Sequence, residues 1–356
     1  MRGIIIFVIM ILIMFSLMFS DKIGTLNEVL KPDNISVFQD DFYVIEGAAI
    51  YIYSLEDLHL QRKIEKKGEG PGELKAIPAY PNRVTGFTEF ILAESLDKIV
   101  YYSRIGDFIK EMRKPTGTTQ ILPLGKNFVV KLVGPGEDNK TAYSNIYIYN
   151  SNMKRVKKLY GQKWVQQGGT PPAIKIDMVM DFINIQVYKN KLFIEESSSG
   201  FLIEVFDQEG NKLYQIKKSV DLKKVTEENR EQLIEDLKED PWIKPQINAF
   251  GGWNAAKKLF SMNFHDYFPA IQNMEISDNR LFIRTSKVKN NKDEYFIMDL
   301  KGENLKKVLV PAMTKTPLMS KVMGVKLNVI SNNKLYYLKE NEDEEEWELH
   351  VEKIEF

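Results

Sequence analysis

Histidine is the side chain best suited to acid–base or metal chemistry near neutral pH, and this sequence contains only three. His59 and His350 each lie between apolar neighbours in otherwise polar segments, which predicts surface positions on outer strands. His265 lies in an aromatic segment, residues 263–268, where it is either a functional group or a histidine held by packing. One candidate histidine cannot form a site that needs several histidine ligands, and the sequence predicts no metal site.

Aromatic residues in or beside one long segment, residues 219–268, are the best candidates for ligand binding. If these rings are exposed, they can stack on sugars or on peptide side chains. The alternative is that they pack the local helices onto the rest of the fold. No serine-nucleophile elbow is present, so catalytic residues stay unassigned, and no cofactor is expected. The candidate ligand-binding residues are Trp242, Trp253, His265 and Tyr267, with Phe268 beside them.

A glycine-rich segment, residues 66–74, has the sequence Lys-Lys-Gly-Glu-Gly-Pro-Gly-Glu-Leu. A phosphate-binding loop would need a following helix and usually a terminal Lys-Ser or Lys-Thr pair, and residues 74–78 offer neither. Three glycines and a proline within five residues also exclude a helix or a central strand. We therefore predict a tight crossing between two sheets.

The acidic run at residues 341–346, Asn-Glu-Asp-Glu-Glu-Glu, has carboxylates that could bind a hard cation. It lacks the alternating spacing and the fixed glycine of a calcium loop, so a solvated hairpin tip is the favoured interpretation.

Composition excludes several classes of function. Lys and Arg together number 49, as do Asp and Glu, so the chain has no net charge with which to attract nucleic acid. The absence of cysteine excludes disulfides, zinc–thiolate sites, iron–sulfur clusters and thiol nucleophiles. Sixteen tyrosines and 20 phenylalanines favour strands over helices.

Residues 3–20 are apolar apart from two serines and follow a single charge, Arg2, which is typical of an export signal. Met18 is large for the position two residues before a cleavage at Ser20, and the run is barely long enough to span a bilayer. The segment is therefore a cleaved signal peptide or an uncleaved membrane anchor. Either predicts an exported protein, periplasmic or extracellular, with residues 21–356 as its folded domain.

The elements that would position these residues form a repeat. Each unit has short strands of Val, Ile, Phe and Tyr, separated by turns rich in Asn, Asp and Gly such as residues 277–280 and 331–334. The middle strands are continuous apolar runs, which implies burial on both faces. Four strands per 40–50 residues predict an all-β, six-bladed β-propeller of four-stranded antiparallel blades. The units cover residues 35–64, 90–112, 120–160, 182–216, 271–310 and 325–354.

Three details complete the predicted ring. The sixth unit has only three strands, so residues 23–30 are expected to supply its fourth strand and close the ring. Residues 161–178 are predicted to form a loop. A helical insertion between blades 4 and 5, about residues 219–263, is expected to begin its first helix at Thr226 and end it at Pro241, with a second helix at residues 253–260.

Six such units, an export signal and the Gly68-Glu69-Gly70-Pro71-Gly72-Glu73 loop together resemble the exported bacterial six-bladed β-propeller family, related to the NHL-repeat propellers. The resemblance implies the fold and export but no particular reaction, because propellers have binding, scaffold and enzymatic roles. The amidating lyases among NHL-type proteins bind metal through several channel histidines, which this sequence lacks.

The sequence thus favours a binding or interaction module at the cell envelope, with an unidentified protein, peptide or carbohydrate ligand and no nucleic acid. Contact with a membrane is expected only through residues 3–20, if they are retained. The alternative is a propeller hydrolase or lyase acting on an extracellular peptide or carbohydrate at the channel mouth near His265. A third possibility is a structural subunit of an envelope complex.

Overall fold

Six antiparallel sheets surround a central channel and form a six-bladed β-propeller, as predicted. The structure, a computed structural model, describes residues 21–77, 80–135, 141–167, 174–179, 183–197, 200–241, 243–258, 260–311 and 324–356. Within this part of the chain, no helix has the length and hydropathy needed to cross a bilayer. The predicted signal or anchor, residues 3–20, lies outside the described residues.

Blades 1 to 3 come from the first half of the chain. Blade 2 has a short inner strand that the sequence units did not include, because only four residues with one large apolar side chain form it. From the channel to the rim, blade 1 contains β2 (Asn34–Phe38), β3 (Asp41–Glu46), β4 (Ala49–Ser54) and β5 (Leu60–Glu65). Blade 2 contains β6 (Arg83–Gly86), β7 (Phe90–Glu94), β8 (Lys98–Ser103) and β9 (Phe108–Arg113). Blade 3 contains β10 (Thr118–Leu124), β11 (Asn127–Pro135), β12 (Thr141–Tyr149) and β13 (Arg155–Gln167).

Blades 4 to 6 follow the same order. The predicted hairpin turns between their first and second strands are confirmed, because Asp278, Asn279, Asn332 and Asn333 all have positive φ angles. Blade 4 contains β15 (Asn184–Tyr188), β16 (Lys191–Glu196), β17 (Phe201–Phe206) and β18 (Lys212–Lys218). Blade 5 contains β20 (Asn273–Ser277), β21 (Arg280–Lys289), β22 (Lys292–Asp299) and β23 (Lys306–Pro311). Blade 6 contains β24 (Asn328–Ser331), β25 (Lys334–Asn341) and β26 (Glu346–Lys353).

The ring is closed by the first strand of the domain, β1 (Asp21–Leu26). It pairs antiparallel with β26, from Asp21 opposite Val351 to Leu26 opposite Trp347, and supplies the fourth strand of blade 6. The predicted closure by residues 23–30 is therefore confirmed, although the strand begins two residues earlier and ends four residues earlier.

The core is divided into six hydrophobic clusters, one between each pair of neighbouring blades. The middle strands contribute to the clusters on both of their faces, which explains their continuous apolar sequences. For example, Tyr43 packs towards blade 2, whereas its neighbours Phe42 and Val44 pack towards blade 6.

The insertion between blades 4 and 5 contains α1 (Glu227–Glu239), α2 (Lys244–Ala249) and α3 (Trp253–Ala256). Thr226 caps α1 as predicted, because its hydroxyl accepts the Asn229 N–H. The second helix predicted at residues 253–260 is shorter than expected, and α2 was not predicted.

The prediction of a loop at residues 161–178 is wrong for residues 161–167 and 174–177, which are strands, while residues 168–173 lie outside the described residues. Strand β13 continues to Gln167. Strand β14 (Ile174–Asp177) pairs antiparallel with β13 and, on its other edge, in parallel with β19 (Phe260–Asn263), which follows the helices of the insertion. The pairing joins segments more than 80 residues apart, which local sequence patterns cannot reveal.

The ring has two distinct faces. All inner strands begin at one end, the entry face, which also carries the 66–82 crossing and the 219–272 insertion. The opposite end, the turn face, carries the turn between the first and second strands of each blade and, in blades 1 to 5, the turn between the third and fourth strands. The C-terminus and the beginning of β1 also lie at the turn face.

Candidate functional site

The channel mouth at the entry face is polar. The first residues of the inner strands carry hydrogen-bonding or charged side chains, and strands end beside them in further polar groups. These first residues are Asn34, Arg83, Thr118, Asn184, Asn273 and Asn328.

A buried ion network joins blades 2 and 3 at this mouth. The Glu94 carboxylate accepts hydrogen bonds from Lys114 Nζ at 2.8 Å and from Arg83 Nη1 at 3.3 Å. The Lys114 side chain is 0% exposed, and it also donates to the Ser95 carbonyl at 2.6 Å. Arg83 Nη1 reaches the Thr119 carbonyl of blade 3 at 2.5 Å. The polar groups of the network are therefore used in holding the two blades together.

The Glu275 carboxylate is used in the same way at another junction. It accepts hydrogen bonds from Ile330 N at 3.0 Å and from Lys326 Nζ at 3.1 Å, both of blade 6. The Glu195 carboxylate accepts from Asn184 Nδ2 at 2.6 Å and from the Ser197 hydroxyl, both within its own blade 4. Both carboxylates are therefore engaged in contacts that support the fold.

Residues 324–327, which precede β24, lie across the mouth. The Lys326 carbonyl accepts a hydrogen bond from Ile35 N of blade 1 at 2.9 Å. Gly324 lies against the Arg83 guanidinium of blade 2, since a Cβ at this position would be 1.9 Å from Nη2. Glycine is favoured here because its φ angle is +85°, and any side chain would also displace the arginine.

Asp33 is a partly buried titratable group between blades 1 and 2 at the entry face. Its carboxylate accepts the Gly47 N–H at 2.9 Å, while Asn82 Nδ2 donates to the Gly47 carbonyl at 2.5 Å. Burial raises the pKa of Asp33 from 3.8 to about 6 despite these hydrogen bonds.

The Asp33→Asn variant should be more stable than the wild-type protein above pH 7 and no more stable at pH 4. The folded state binds the Asp33 proton more tightly than the unfolded chain, so this group stabilises the fold below about pH 4 and loses that contribution as the pH rises to about 6. Thermal melts of both proteins between pH 4 and pH 8 measure the difference. A difference in melting temperature that is independent of pH contradicts the assignment.

The glycine-rich crossing uses its own backbone groups and does not form a phosphate cradle. Gly68 N donates to the Leu74 carbonyl at 3.1 Å, and Gly70 N donates to Glu73 Oε2 at 2.8 Å. Its carbonyls accept from blade 2: Lys98 Nζ reaches Gly70 O and the Tyr102 hydroxyl reaches Gly72 O, each at 2.7 Å. The prediction of a structural crossing is confirmed.

The predicted ligand-binding residues do not converge on one described pocket. His265 Nε2 lies 2.5 Å from Asp177 Oδ2 on an exposed surface beside β14. Trp253 is half-buried, and Lys238 of α1 lies 5.3 Å from its ring centre. Tyr267 is 50% exposed. Trp242 lies outside the described residues.

Two exposed apolar residues of the insertion were missed by the sequence analysis. Phe250, after α2, is 55% exposed, and Leu222 near the start of the insertion is also exposed. Neither has a distinctive neighbour in the sequence, and only the folded arrangement of the insertion leaves them uncovered. A shallow cleft beside Leu222, lined also by Val220, Ala270 and Thr285, has room for about one water molecule.

The other predicted positions are partly confirmed. His59 is exposed and lies 2.6 Å from Asp57. The surface prediction for His350 is wrong, because its side chain is buried. The centre of its ring lies 5.4 Å from that of Tyr337, and its Nε2 is hydrogen-bonded to Glu348. The acidic run forms an exposed hairpin tip, as expected. Among the described residues, no group of three or more acidic or histidine side chains is arranged to hold a metal ion.

Comparisons with known proteins add no family. No family model and no curated protein matches this chain. Solved structures similar to it include the Swd1 (Cps50) β-propeller domain of Myceliophteria thermophila, 9% identical, with a TM-score of 0.42 over 93% of this chain and 99% of that one. Hsv2 of Kluyveromyces lactis is 11% identical, with a TM-score of 0.39 over 90% and 98% of the two chains. At these values the likeness carries no functional argument, and membership of the exported NHL-like family stays a prediction.

Proposed function

We propose that this protein is an exported β-propeller that binds a protein, peptide or carbohydrate at the cell envelope through its entry face. The observation that supports this most is the insertion, which leaves Phe250 55% and Tyr267 50% exposed, whereas Leu237 and Ile247 of its helices are buried. Propellers act in general as interaction modules, and their long connections are where such binding residues occur.

The distribution of polar groups favours binding over catalysis. Glu94 and Glu275 at the channel mouth are used in contacts that hold blades together, and Glu195 is hydrogen-bonded within blade 4. The insertion, in contrast, exposes three large side chains, Leu222, Phe250 and Tyr267, that are available for contact with a ligand. An aromatic ring such as that of Tyr267 offers both a flat apolar face and a polar edge, which suits a peptide or a sugar.

Site-specific photocrosslinking in the producing cells tests this proposal. The photoreactive residue p-benzoylphenylalanine replaces Phe250 in one variant and Tyr267 in a second. Ile105, which is 66% exposed on the turn face of blade 2, is replaced in the control. We expect a discrete crosslinked product from positions 250 and 267 and none from position 105.

Loss of that product on combining Phe250 crosslinking with Tyr267→Ala would support a shared binding surface. The same product from position 105, or none from either position of the insertion, would argue against a binding role for the entry face. The readout is the mass of the crosslinked product, which distinguishes a protein partner from a small ligand.

The His265–Asp177 pair supports the second candidate, a hydrolase or lyase. A carboxylate 2.5 Å from the imidazole can hold the ring in one orientation, as a positioned general base requires. Under this alternative, His265→Ala abolishes hydrolysis of peptide or oligosaccharide substrates and leaves the crosslinked product unchanged. Near-stoichiometric metal in the purified protein, with a chelator-sensitive melting temperature, would also favour the enzyme.

A further inference from the structure

We infer that the junction of blades 1 and 2 at the entry face binds a calcium ion between the Asp33 carboxylate and the side-chain oxygen of Asn82. Asp33 precedes β2 of blade 1, and Asn82 precedes β6 of blade 2. An ion at this place would join the two blades beside the channel mouth. The inference is independent of the proposed function, because it concerns this junction and not the ligand of the insertion.

The Asn82 side chain provides the first observation. It is 1% exposed, and its Nδ2 donates to the Gly47 carbonyl at 2.5 Å and to the Lys75 carbonyl at 2.8 Å. The reverse orientation of the amide would place its oxygen against these two carbonyl oxygens, so the position of Oδ1 is fixed. Asn82 Oδ1 is buried and has no hydrogen-bond partner among the described residues. A buried oxygen of this kind requires a donor or a cation.

The Asp33 carboxylate lies beside this amide. It accepts the Gly47 N–H at 2.9 Å, and the backbone N–H of Asn82 also stabilises its charged form. Gly47 therefore contacts both side chains, through its N–H to Asp33 and through its carbonyl to Asn82. Within the part of the chain that the structure describes, Asp33 forms no ion pair. An uncompensated charge and an unpartnered oxygen thus share one peptide group.

The surrounding charge favours a cation over a water molecule. The Glu46 carboxylate adds negative potential at Asp33, and this effect exceeds the opposite effect of Lys31. Glu46 is held in place by the backbone N–H groups of Leu30 and Lys31, at 3.2 and 2.8 Å. A water molecule can donate to Asn82 Oδ1 but leaves the charge of Asp33 uncompensated, whereas a cation satisfies both groups.

The donor set fits calcium. Carboxylate and amide oxygens are hard ligands, which favour calcium or magnesium over softer metals. Calcium accepts irregular sets of about six to eight oxygens, completed by backbone carbonyls and water, whereas magnesium requires a regular octahedron. With a single carboxylate in direct reach, we expect a dissociation constant of about 10⁻⁴–10⁻³ M.

Calcium titrations followed by thermal unfolding test this site. The protein isolated from the producing cells is dialysed against EDTA and melted at neutral pH in CaCl2 or MgCl2 at up to about 10 mM. We expect calcium to raise the melting temperature by about 2 °C or more and magnesium to raise it by less than half as much.

Two matched variants locate the response. Asp33→Asn keeps the shape of the side chain and should abolish the calcium response, although without calcium it is at least as stable as the wild-type protein at neutral pH. Asp40→Asn makes the same change on an exposed side chain at the turn face of blade 1 and should keep the response. A calcium response that Asp33→Asn leaves unchanged would overturn the proposal.

Crystals grown in about 10 mM CaCl2 identify the occupant directly. The anomalous signal of calcium should lie about 2.3–2.6 Å from an Asp33 carboxylate oxygen and from Asn82 Oδ1. A water molecule alone at this position, hydrogen-bonded to Asn82 Oδ1, would overturn the proposal.

His265→Ala separates this site from the metal expected of a hydrolase or lyase. The calcium response should persist in this variant, because His265 is paired with Asp177 and not with Asp33. Loss of the response in His265→Ala but not in Asp33→Asn would overturn the proposal and support the enzyme. Crosslinking from Phe250 is measured separately, so failure of the calcium site can be distinguished from failure of the binding function.

Discussion

Removal of residues 21–34 should lower the melting temperature by about 10 °C or more, because the ring then loses its closing strand. Strand β1 supplies the fourth strand of blade 6, and Leu26 and Val29 are fully buried between blades 6 and 1. Without them, the edge of β26 and the apolar surface of that junction are exposed to water. Thermal unfolding followed by circular dichroism measures the change.

A synthetic peptide of residues 21–30 offers a direct control for this prediction. If the loss comes from the missing strand, the peptide should raise the melting temperature of the truncated protein in proportion to its concentration. Within the full chain, Leu26→Ala should cost about 2–5 kcal/mol, whereas Leu30→Ala should cost little, because Leu30 is exposed. An unchanged melting temperature in the truncated protein would contradict the role of β1.

The Glu94→Gln change should destabilise the protein by about 3–5 kcal/mol, although it preserves the shape of the side chain. Glu94 is the carboxylate shared by Lys114 and Arg83, and the Lys114 side chain is completely buried. Without Glu94, the Lys114 ammonium keeps only the Ser95 carbonyl and the Tyr80 hydroxyl as partners and has no counter-charge. Urea denaturation of the two proteins measures the free energy of unfolding.

The matched control is Glu204→Gln, which removes the partner of Lys212 on an exposed strand and should cost less than about 1 kcal/mol. The double variant Glu94→Gln with Lys114→Met should recover part of the lost stability, since it removes the unpaired charge as well. Equal losses for Glu94→Gln and Glu204→Gln would show that the buried network contributes no more than a surface pair.

The candidate site was only partly accessible to sequence reasoning. His265 was singled out because it is one of three histidines, but its partner Asp177 lies 88 residues earlier, in a segment predicted as a loop. Phe250 carries no local signal, because exposure depends on how α2 and α3 fold over the insertion.

The sequence by itself determined the blades, their turns and their order. Strands and hairpins depend on side chains close together along the chain, so the apolar runs and the Asn and Asp turns specify them locally. The buried position of His350, the sharing of Glu94 between two cations and the addition of β19 to blade 3 were decided by the tertiary structure alone. Each depends on surfaces that closure of the ring brings together, as when Lys22 meets Glu348 across 326 residues.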